Sequence, residues 1–410
     1  MATNGLRPYY YAFIIFASSN GGGWGGVGGV VGRYVNNGLL FRSSSTAFIV
    51  SAAITTNPSS SSATMSSLSS DNTDTTNECS TLLPSKVIHH QDSNLWLYRV
   101  QSTTSTMDEA RKIVDEITTA SNNNDESGAS SNAKPKSFVI SAASQTQGRG
   151  TTQRKWKSSQ RGNALFTIGI PQASWMTDLK MKNNGKMVPL TLLPLQVGSL
   201  VAQNIQRSLE ECIHNGDNQQ GDSVQPPKVT VKWPNDVLLK QSTNTNNNTA
   251  SYEKVAGILI ESAKYWFLIG IGINVGYAPD IPTDGVDYGR KATCFSRYCD
   301  SSVDAAAMDQ HSNDEYWVEV SQKLANDIAY DLHSWLHHTE ADDASIDKHY
   351  SGGAILDKWK SYLDWDMELI LRDTPNRERV TLTDVMEDGR VIVKEVETGM
   401  TRTLVADYFL

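Results

Sequence analysis

The sequence predicts an α+β fold, because strand-like apolar runs and amphipathic helices are interspersed along the chain. Tyr265 to Val275 is typical of a near-continuous buried strand, and Leu190 to Leu209 has the apolar spacing of a long amphipathic helix. From Met367 onward, short alternating runs recur with turn residues between them, which predicts a small β-barrel-like module. We therefore expect a body of mixed strands and helices followed by a small β domain.

Three regions are predicted along the 410 residues. Residues 1–92 are rich in Ser, Thr and Asn and cannot bury enough apolar surface to fold, so a disordered extension with a targeting segment is expected. The α+β body is predicted over residues 93–365, where strand-like alternation begins at Leu95. The C-terminal β domain is predicted over residues 366–410.

The first seventy residues contain no Asp or Glu and only three basic residues, Arg7, Arg33 and Arg42. This composition is typical of an organellar transit peptide, but Arg7 and the apolar run Tyr9 to Ala17 also suit a signal-like region. An extension without a targeting role stays open as well. No later stretch is apolar enough to span a membrane. We expect a soluble intracellular protein in the cytoplasm, a plastid or a mitochondrion.

Net charge and metal-ligand spacing exclude two classes of function. The net charge of −9 argues against a general nucleic-acid binder. The four cysteines lack zinc spacing, so free thiols in a reducing compartment are expected. His333 and His337 are four apart on a predicted helix without a third ligand, so a solvated helix face is favoured over a metal pair. No metal site made of protein side chains is predicted.

A glycine-rich basic loop follows the short strand Ser137 to Ile140. In Ser141 to Asn163, Gly148, Arg149 and Gly150 precede several basic residues around Trp156. Glycines let the backbone N–H groups approach an anion closely. The loop therefore suits a phosphate or carboxylate, although composition alone leaves an ordinary basic surface loop equally open.

The run Lys232-Trp233-Pro234-Asn235-Asp236 places a lysine at the end of a strand, next to a turn that Trp and Pro make rigid. Such a lysine is a pre-oriented positive charge. The alternative is a well-packed turn with an exposed lysine. Combined with the glycine-rich loop, this run predicts that an anion is held from two sides.

Glycines also interrupt the buried strand, in Gly270-Ile271-Gly272-Ile273-Asn274-Val275. A dinucleotide-binding motif is excluded, because the third glycine comes one place late and Pro279 blocks the helix that should follow. Glycines inside an apolar strand instead indicate that something packs directly against the backbone.

These stretches occur in the order in which they occur in biotin protein ligases, also called holocarboxylase synthetases, and the chain resembles that family from about Leu95 to Leu410. The resemblance rests on five runs: Ser105-Thr106-Met107-Asp108, Gln145 with Gly148-Arg149-Gly150 and Trp156, Lys232 to Asp236, Lys254 to Glu261, and Gly270 to Val275. The C-terminal fifth matches in pattern more than in motif. The resemblance implies a mixed-sheet catalytic domain of the biotin/lipoate ligase type, similar to class II synthetases, with a C-terminal SH3-like β-barrel.

The resemblance implies two half-reactions. Biotin and ATP, with Mg²⁺, give biotinyl-5′-adenylate and pyrophosphate. A lysine on the biotin carboxyl carrier domain of acetyl-CoA carboxylase or a related carboxylase then attacks the adenylate and releases AMP. No protein nucleophile is needed, so catalysis depends on positioning and charge stabilisation.

The resemblance also implies the residues of the site, with Lys232 and Arg149 as the catalytic pair. The residues implied to bind biotin are Ser105, Thr106, Met107, Gln145, Arg149, Gly150, Thr151, Lys232, Gly257, Gly270 and Gly272. Those implied to bind ATP are Gly148, Arg149, Arg154, Trp156, Lys232, Asn235 and Asn274. Ser105-Thr106 also suits a helix cap, and Asp236 is either a base for the incoming lysine or a turn cap.

Three departures from the family pattern stand out. Thr151 replaces a second arginine found in many relatives, so weaker retention of the adenylate is expected unless Arg154 compensates. Thr383 stands near the position from which some bacterial members direct an arginine toward ATP. The polar segment before Leu95 does not suit a winged helix, so DNA binding is not expected.

Two other functions stay open. A lipoate ligase shares the fold and the adenylate chemistry, but Trp233 and Pro234 belong to the biotin branch. A catalytically silent carrier-binding module would not need Arg149, Gly150 and Lys232 together.

Overall fold

The computed structural model divides the chain into two compact units, Met1–Leu82 and Leu83–Leu410. It describes residues 33–35, 38–43, 46–50, 95–123, 137–151, 154–158, 161–183, 185–216, 226–241, 251–282, 290–299, 310–337, 350–371 and 377–405. In the first unit these residues form an antiparallel sheet of β1 (Arg33–Val35), β2 (Gly38–Ser43) and β3 (Thr46–Val50). The rest of the predicted extension lies outside the described residues, and the three predicted domain boundaries stay predictions.

The second unit is built on a seven-stranded sheet. Its strands are β4 (Leu95–Thr103), β5 (Ser137–Gln145), β8 (Ala164–Pro171), β9 (Lys228–Lys232), β10 (Asp236–Gln241), β11 (Ser251–Ala263) and β12 (Trp266–Ile273). They are ordered β4-β5-β8-β12-β11-β10-β9. The β4–β5 pair is parallel and the other pairs are antiparallel, so the predicted mixed sheet is confirmed.

Helices cover both faces of this sheet. They are α1 (Thr106–Asn123), the short α2 (Leu179–Lys182), α3 (Leu193–Gly216), α4 (Gln310–His337) and α5 (Gly352–Ser361). A π-helical turn (Ser174–Asp178) precedes α2, and 3-10 turns precede α3 (Leu190–Leu192) and follow β12 (Phe295–Tyr298). None of the helices in the described parts of the chain combines the length and apolar character needed to cross a membrane.

Alternation along the central strands divides the core between the two faces. In β5, Val139 packs into the large cluster with α3, α4 and α5, whereas Phe138 and Ile140 pack against α1. In β12, Ile269 belongs to the large cluster and Leu268 to the α1 cluster. The glycines Gly270 and Gly272 follow Leu268 at intervals of two, so they lie on the α1 face.

The C-terminal strands form a separate four-stranded antiparallel sheet of β13 (Glu368–Ile370), β14 (Arg379–Val385), β15 (Val391–Glu395) and β16 (Thr401–Leu404), in that order. Its inward side chains join the core of the large sheet. Trp233 Nε1 donates a hydrogen bond to the carbonyl of Gly389, at 3.0 Å, which fixes this sheet next to the turn after β9. The small β sheet agrees with the sequence, but among the strands described the sheet is open and no closed barrel is formed.

The expectation of free thiols is wrong for two cysteines. Cys212, near the end of α3, forms a disulfide with Cys299, which follows the 3-10 turn after β12. Cys294 is free and buried. Cys79 lies outside the described residues. Spacing could not reveal the pair, because its members are 87 residues apart in sequence.

The histidine pair does not lie on a solvated helix face. His333 is 4% exposed, and its Nδ1 is 3.1 Å from the Ser137 hydroxyl at the start of β5. The Nε2 of His337 is 3.3 Å from the same hydroxyl. Both rings therefore join α4 to the sheet.

We expect Gly169→Ala to destabilise the second unit by about 1–3 kcal/mol, because a buried β8 position has no room for a methyl group. A Cβ there would lie 2.2 Å from Phe138 Cε1, and Phe138 is fully buried. Urea unfolding of the purified protein measures the change. Gly353→Ala is the matched control, because the nearest atom to its Cβ, Ser351 Oγ, is 3.8 Å away. Equal losses in both variants would contradict this account of the packing.

Candidate active site

A cavity of about 470 Å³ opens on the α1 face of the sheet, beside the N-terminus of that helix. Its walls come from the start of α1, the end of β5, a short hairpin, and strands β11 and β12. Volume and setting suit a small-molecule site. The lining residues are Ser105, Thr106, Met107, Gln145, Arg149, Gly150, Thr151, Arg154, Lys155, Trp156, Lys157, Asn235, Lys254, Gly257, Ile258, Leu259, Gly270, Ile271, Gly272, Asn274, Pro279, Ile281, Arg290 and Ala292.

One end of the cavity presents hydrogen-bond donors whose orientation is fixed from behind. Gln145 Oε1 accepts from the backbone N–H of Thr106, at 2.7 Å, and from its hydroxyl, at 3.2 Å. The buried Thr167 hydroxyl donates in turn to Thr106 Oγ1, at 2.9 Å. With its oxygen occupied, Gln145 has its Nε2 amino group left to donate to a ligand. Ser105 Oγ accepts from the N–H of Met107, at 3.3 Å, so its proton is available as a second donor.

Glycines make the floor of the cavity. Gly257 of β11 and Gly272 of β12 are direct cross-strand partners. A Cβ at Gly272 would lie 2.4 Å from Trp156 Cε2, and one at Gly270 would lie 2.7 Å from Met107 Sδ. The absence of side chains at these positions therefore lets flat or elongated groups lie directly on the backbone.

The glycine-rich loop is partly strand. β5 continues through Gln145, four residues beyond the predicted loop start at Ser141, and a hairpin of β6 (Gly148–Arg149) and β7 (Lys155–Trp156) follows. Gly148 is needed at the crossing, because its Cβ would lie 2.6 Å from the carbonyl oxygen of Trp156. The hairpin sets the Trp156 ring on the glycine floor, with Lys254 Nζ 5.5 Å from the ring centroid.

Asp236 lies between two lysines. Its Oδ1 is 2.6 Å from Lys254 Nζ, and its Oδ2 is 3.4 Å from Lys232 Nζ. Burial would raise the pKa of Asp236, but the two ammonium groups outweigh it and hold that pKa well below its usual range. Burial lowers the pKa of Lys232 to about 8, against the opposing effect of Asp236. Lys232 is 5% exposed and does not line the cavity, whereas Lys254 does.

Arg149 is paired with carboxylates at the cavity rim. Its Nη2 lies 3.0 Å from Asp108 Oδ1, and its Nη1 lies 3.5 Å from Glu261 Oε1. Its Nε and Nη2 are nevertheless buried without an aligned hydrogen bond. The guanidinium is thus held in place with two N–H groups still unsatisfied.

The charge of the lining is one-sided. Its basic side chains are Arg149, Arg154, Lys155, Lys157, Lys254 and Arg290, and none of the residues named in the lining is Asp or Glu. The whole chain carries a net charge of −9. Positive charge is thus concentrated at the cavity, which favours an anionic ligand.

Two unsatisfied groups in the wall define its polarity further. Asn274 donates through Nδ2 to the carbonyl of Thr293, at 3.0 Å, and its buried Oδ1 has no hydrogen-bond partner among the residues that the structure describes. The Nε of Arg290 is buried without a partner as well. Buried polar groups are normally satisfied, so a ligand here should donate to Asn274 and accept from Arg290.

All but two of the predicted site residues line this one cavity, and their ligand contacts stay predictions. The exceptions are Gly148, which lies at the hairpin crossing, and Lys232, which is buried and pairs with Asp236. Ten further lining residues were not predicted as site residues: Lys155, Lys157, Lys254, Ile258, Leu259, Ile271, Pro279, Ile281, Arg290 and Ala292.

The chain is similar to several known proteins. Residues 113–277 match the family model described as the biotin/lipoate A/B protein ligase family. The biotin–[acetyl-CoA-carboxylase] ligase of Mycobacterium tuberculosis is 28% identical over 152 residues, which cover 37% of this chain and 44% of that protein. The bifunctional ligase/repressor BirA of Bacillus subtilis is 29% identical over 186 residues, which cover 44% of this chain and 45% of that protein. The chain thus spans about half the length of the curated relatives it matches.

Two solved structures are also similar. The biotin protein ligase of Leishmania major in complex with biotin is 24% identical, with a TM-score of 0.41, and covers 76% of this chain and 98% of that chain. The biotin protein ligase of Aquifex aeolicus in complex with biotin and ATP is 21% identical, with a TM-score of 0.41, and covers 76% and 99%.

The matched segment is thus similar to the biotin/lipoate A/B protein ligases. One of the curated relatives is a biotin–[acetyl-CoA-carboxylase] ligase, so the predicted resemblance to the biotin protein ligase family is confirmed.

We expect Lys232→Met to remove a pH-dependent part of the stability. Because burial depresses the pKa of Lys232 from 10.5 to about 8, the unfolded chain binds more protons between these pH values. The free energy of unfolding of the wild type, minus that of the variant, should therefore rise from pH 8 to 10.5, by at most about 1.4 kcal/mol per pH unit. Urea unfolding at a series of pH values measures this difference, and a flat or falling difference would contradict it.

Proposed function

We propose that this chain is an ATP-dependent biotin protein ligase, which activates biotin as biotinyl-5′-AMP and transfers it to a lysine of a biotin carboxyl carrier domain. The observation that carries the proposal is the cavity itself, where six basic and no acidic side chains surround a glycine floor. An acyl-adenylate combines an elongated acyl chain, a phosphate and a flat base. The glycine-containing strands suit the acyl chain, the basic side chains suit the phosphate, and the Trp156 ring suits the base.

In the first step a biotin carboxylate oxygen attacks the α-phosphorus of ATP, and pyrophosphate leaves. Negative charge increases around that phosphorus, so pre-positioned cations stabilise the transition state. Lys254 suits this role, because it lines the cavity and because Asp236 Oδ1, 2.6 Å from Lys254 Nζ, holds the ammonium group in place. We assign Lys232 the supporting role of holding Asp236. Direct contact of Lys232 with the ligand, as the family resemblance implied, would require a change of conformation, because Lys232 is buried and does not line the cavity.

The donor end of the cavity favours biotin over lipoate. Gln145 and Ser105 each have a proton to donate, and the carbonyl oxygen of a ureido ring accepts two hydrogen bonds. A dithiolane ring offers only weak sulfur acceptors. Leaving buried donors unpaired costs about 1–3 kcal/mol per group, which is enough to discriminate between the two acids.

In the second step the amine of a carrier lysine attacks the acyl carbon, and AMP leaves with the bonding electrons. The incoming amine must be neutral to act as a nucleophile. Asp236 is a poor base for it, because its pKa is held low by two ammonium groups. We therefore propose that the carrier lysine loses its proton to water, and that this chain contributes positioning. Acetyl-CoA carboxylase and related carboxylases are the proposed partners, and binding to DNA is not part of the proposal.

Mg²⁺ is expected to accompany the triphosphate. Magnesium prefers carboxylate, phosphate and water oxygens, and no Asp or Glu is among the described residues that line the cavity. The lining therefore does not supply a magnesium site of its own, and none of the steps above depends on one. We also propose that the small C-terminal sheet is SH3-like, since its strands form a meander with a bulge near Leu382.

The direct test incubates the purified protein with ATP and radiolabelled biotin, lipoate or octanoate, with and without an apo carrier domain. We expect pyrophosphate release with biotin in the absence of the carrier domain, and labelling of the carrier domain with biotin when this domain is added. Activation of lipoate in preference to biotin would support the rival ligase instead. Carrier binding without pyrophosphate release would support the silent module.

We expect ATP to be preferred over ITP by about 5- to 150-fold in kcat/KM. The 6-amino group of adenine satisfies Asn274 Oδ1, whereas the 6-oxo group of ITP leaves this buried acceptor unpaired, at about 1–3 kcal/mol. Pyrophosphate release with each nucleotide measures the ratio. Asn274→Leu removes the acceptor and should lose most of the preference. Equal use of ATP and ITP by the wild type would contradict this orientation of the base.

A further inference from the structure

Arg149 belongs to a closed cluster of four charges that joins three elements. Asp108 and Arg111 are on α1, Arg149 is on β6, and Glu261 is on β11. Asp108 Oδ1 lies 2.8 Å from Arg111 Nη1 and 3.0 Å from Arg149 Nη2. Glu261 pairs with Arg111 through Oε2 and with Arg149 through Oε1. Each carboxylate is thus shared by both guanidinium groups.

The hairpin needs such an anchor. β6 is two residues long and pairs with β7 in a sheet of its own, so the main sheet does not set the position of β6 through a strand ladder. Among the described side chains that help to hold it are Trp156 on the glycine floor and Arg149 in the charge cluster.

The cluster is partly sheltered from solvent, although the Asp108 side chain is 45% exposed. The side chains of Glu261 and Arg149 are 15% and 31% exposed, so their attraction is less screened than that of an open surface pair. Neither Asp108 nor Glu261 lines the cavity, whereas Arg149 does. The two acids therefore reach a ligand only through Arg149.

We infer that Asp108 and Glu261 are positioning residues that hold Arg149, and with it β6, against the cavity, and thereby set how long a bound acyl-adenylate is retained. This inference rests on the proposed function. The chemical step does not require the two acids, since neither contacts the reacting atoms. Their loss should speed dissociation of the intermediate more than it slows its formation.

The test compares Asp108→Asn, Glu261→Gln and the double variant with the wild type. Each protein is loaded with biotin and ATP, and release of labelled biotinyl-adenylate is followed after a chase. We expect release to be about threefold faster in each single variant and about tenfold faster in the double variant, with adenylate formation changed less than twofold. Raising the salt concentration should speed release from the wild type more than from the double variant, because in the wild type it also screens the charge cluster.

Asp115→Asn is the matched control. Asp115 is also on α1, and it pairs with Lys264 in the β11–β12 turn at 2.8 Å, away from the cavity. Its loss should leave release unchanged. If the double variant releases the adenylate at the wild-type rate, or if Asp115→Asn accelerates release equally, the inference is overturned.

A second readout does not depend on the ligase reaction. Arg154 and Lys155 are exposed on the hairpin, so trypsin cleavage between them reports how firmly it is held. Cleavage at this bond, followed by mass spectrometry on the ligand-free protein, should be faster in the double variant and unchanged in Asp115→Asn. Unchanged cleavage in the double variant would overturn the anchoring role. Failure of the wild type to form an adenylate would count against the proposed function alone.

Discussion

The site depends on one carboxylate shared by two ammonium groups. Asp236 is the first residue of β10. It forms ion pairs with Lys254 on the neighbouring β11 and with the buried Lys232. Two cations close together repel each other, so Lys254 keeps its place in the cavity wall because the charge of Asp236 lies between them. The turn that contains Trp233 and Pro234 therefore positions the charged groups Lys232 and Asp236. Trp233 also joins this turn to the C-terminal sheet through a hydrogen bond.

A β-bulge explains why alternation along the sequence did not reveal Lys254 as a lining residue. In the pairing of β10 with β11, Val237 is opposite Ala256 and Leu238 is opposite Lys254, so Val255 has no partner. The extra residue shifts the alternation of side chains, and Lys254 and Gly257 line the same cavity although they are three apart. Simple period-two alternation would place them on opposite faces. No local sequence pattern predicts this bulge.

The parts of the fold that depend on local patterns could be predicted. The buried β12 strand, the long α3 helix and the glycines that open the floor all follow from periodicity and from missing side chains in an apolar run. Contacts between distant segments could not be predicted. Arg290 reaches the cavity because its segment adds to the edge of β11, where the N–H of Lys254 donates to the carbonyl of Lys291 at 2.8 Å. The Cys212–Cys299 pair and the burial of His333 depend on such tertiary placement as well.

Two cationic groups that pair with carboxylates, Lys254 and Arg149, have different roles in the proposed acyl-adenylate site. Lys254 is held by a carboxylate within the rigid main sheet, so its charge is in place before any ligand arrives and little reorganisation is needed during the reaction. Arg149 is held by carboxylates on two other elements while it projects from a small separate hairpin, so its place depends on side chains. A positive charge in a rigid sheet, such as that of Lys254, is suited to stabilising a transition state. A positive charge on a separately anchored hairpin, such as that of Arg149, is suited to letting a ligand enter and then retaining it. Retention and chemistry are thus assigned to different elements, and substitutions can change one without the other.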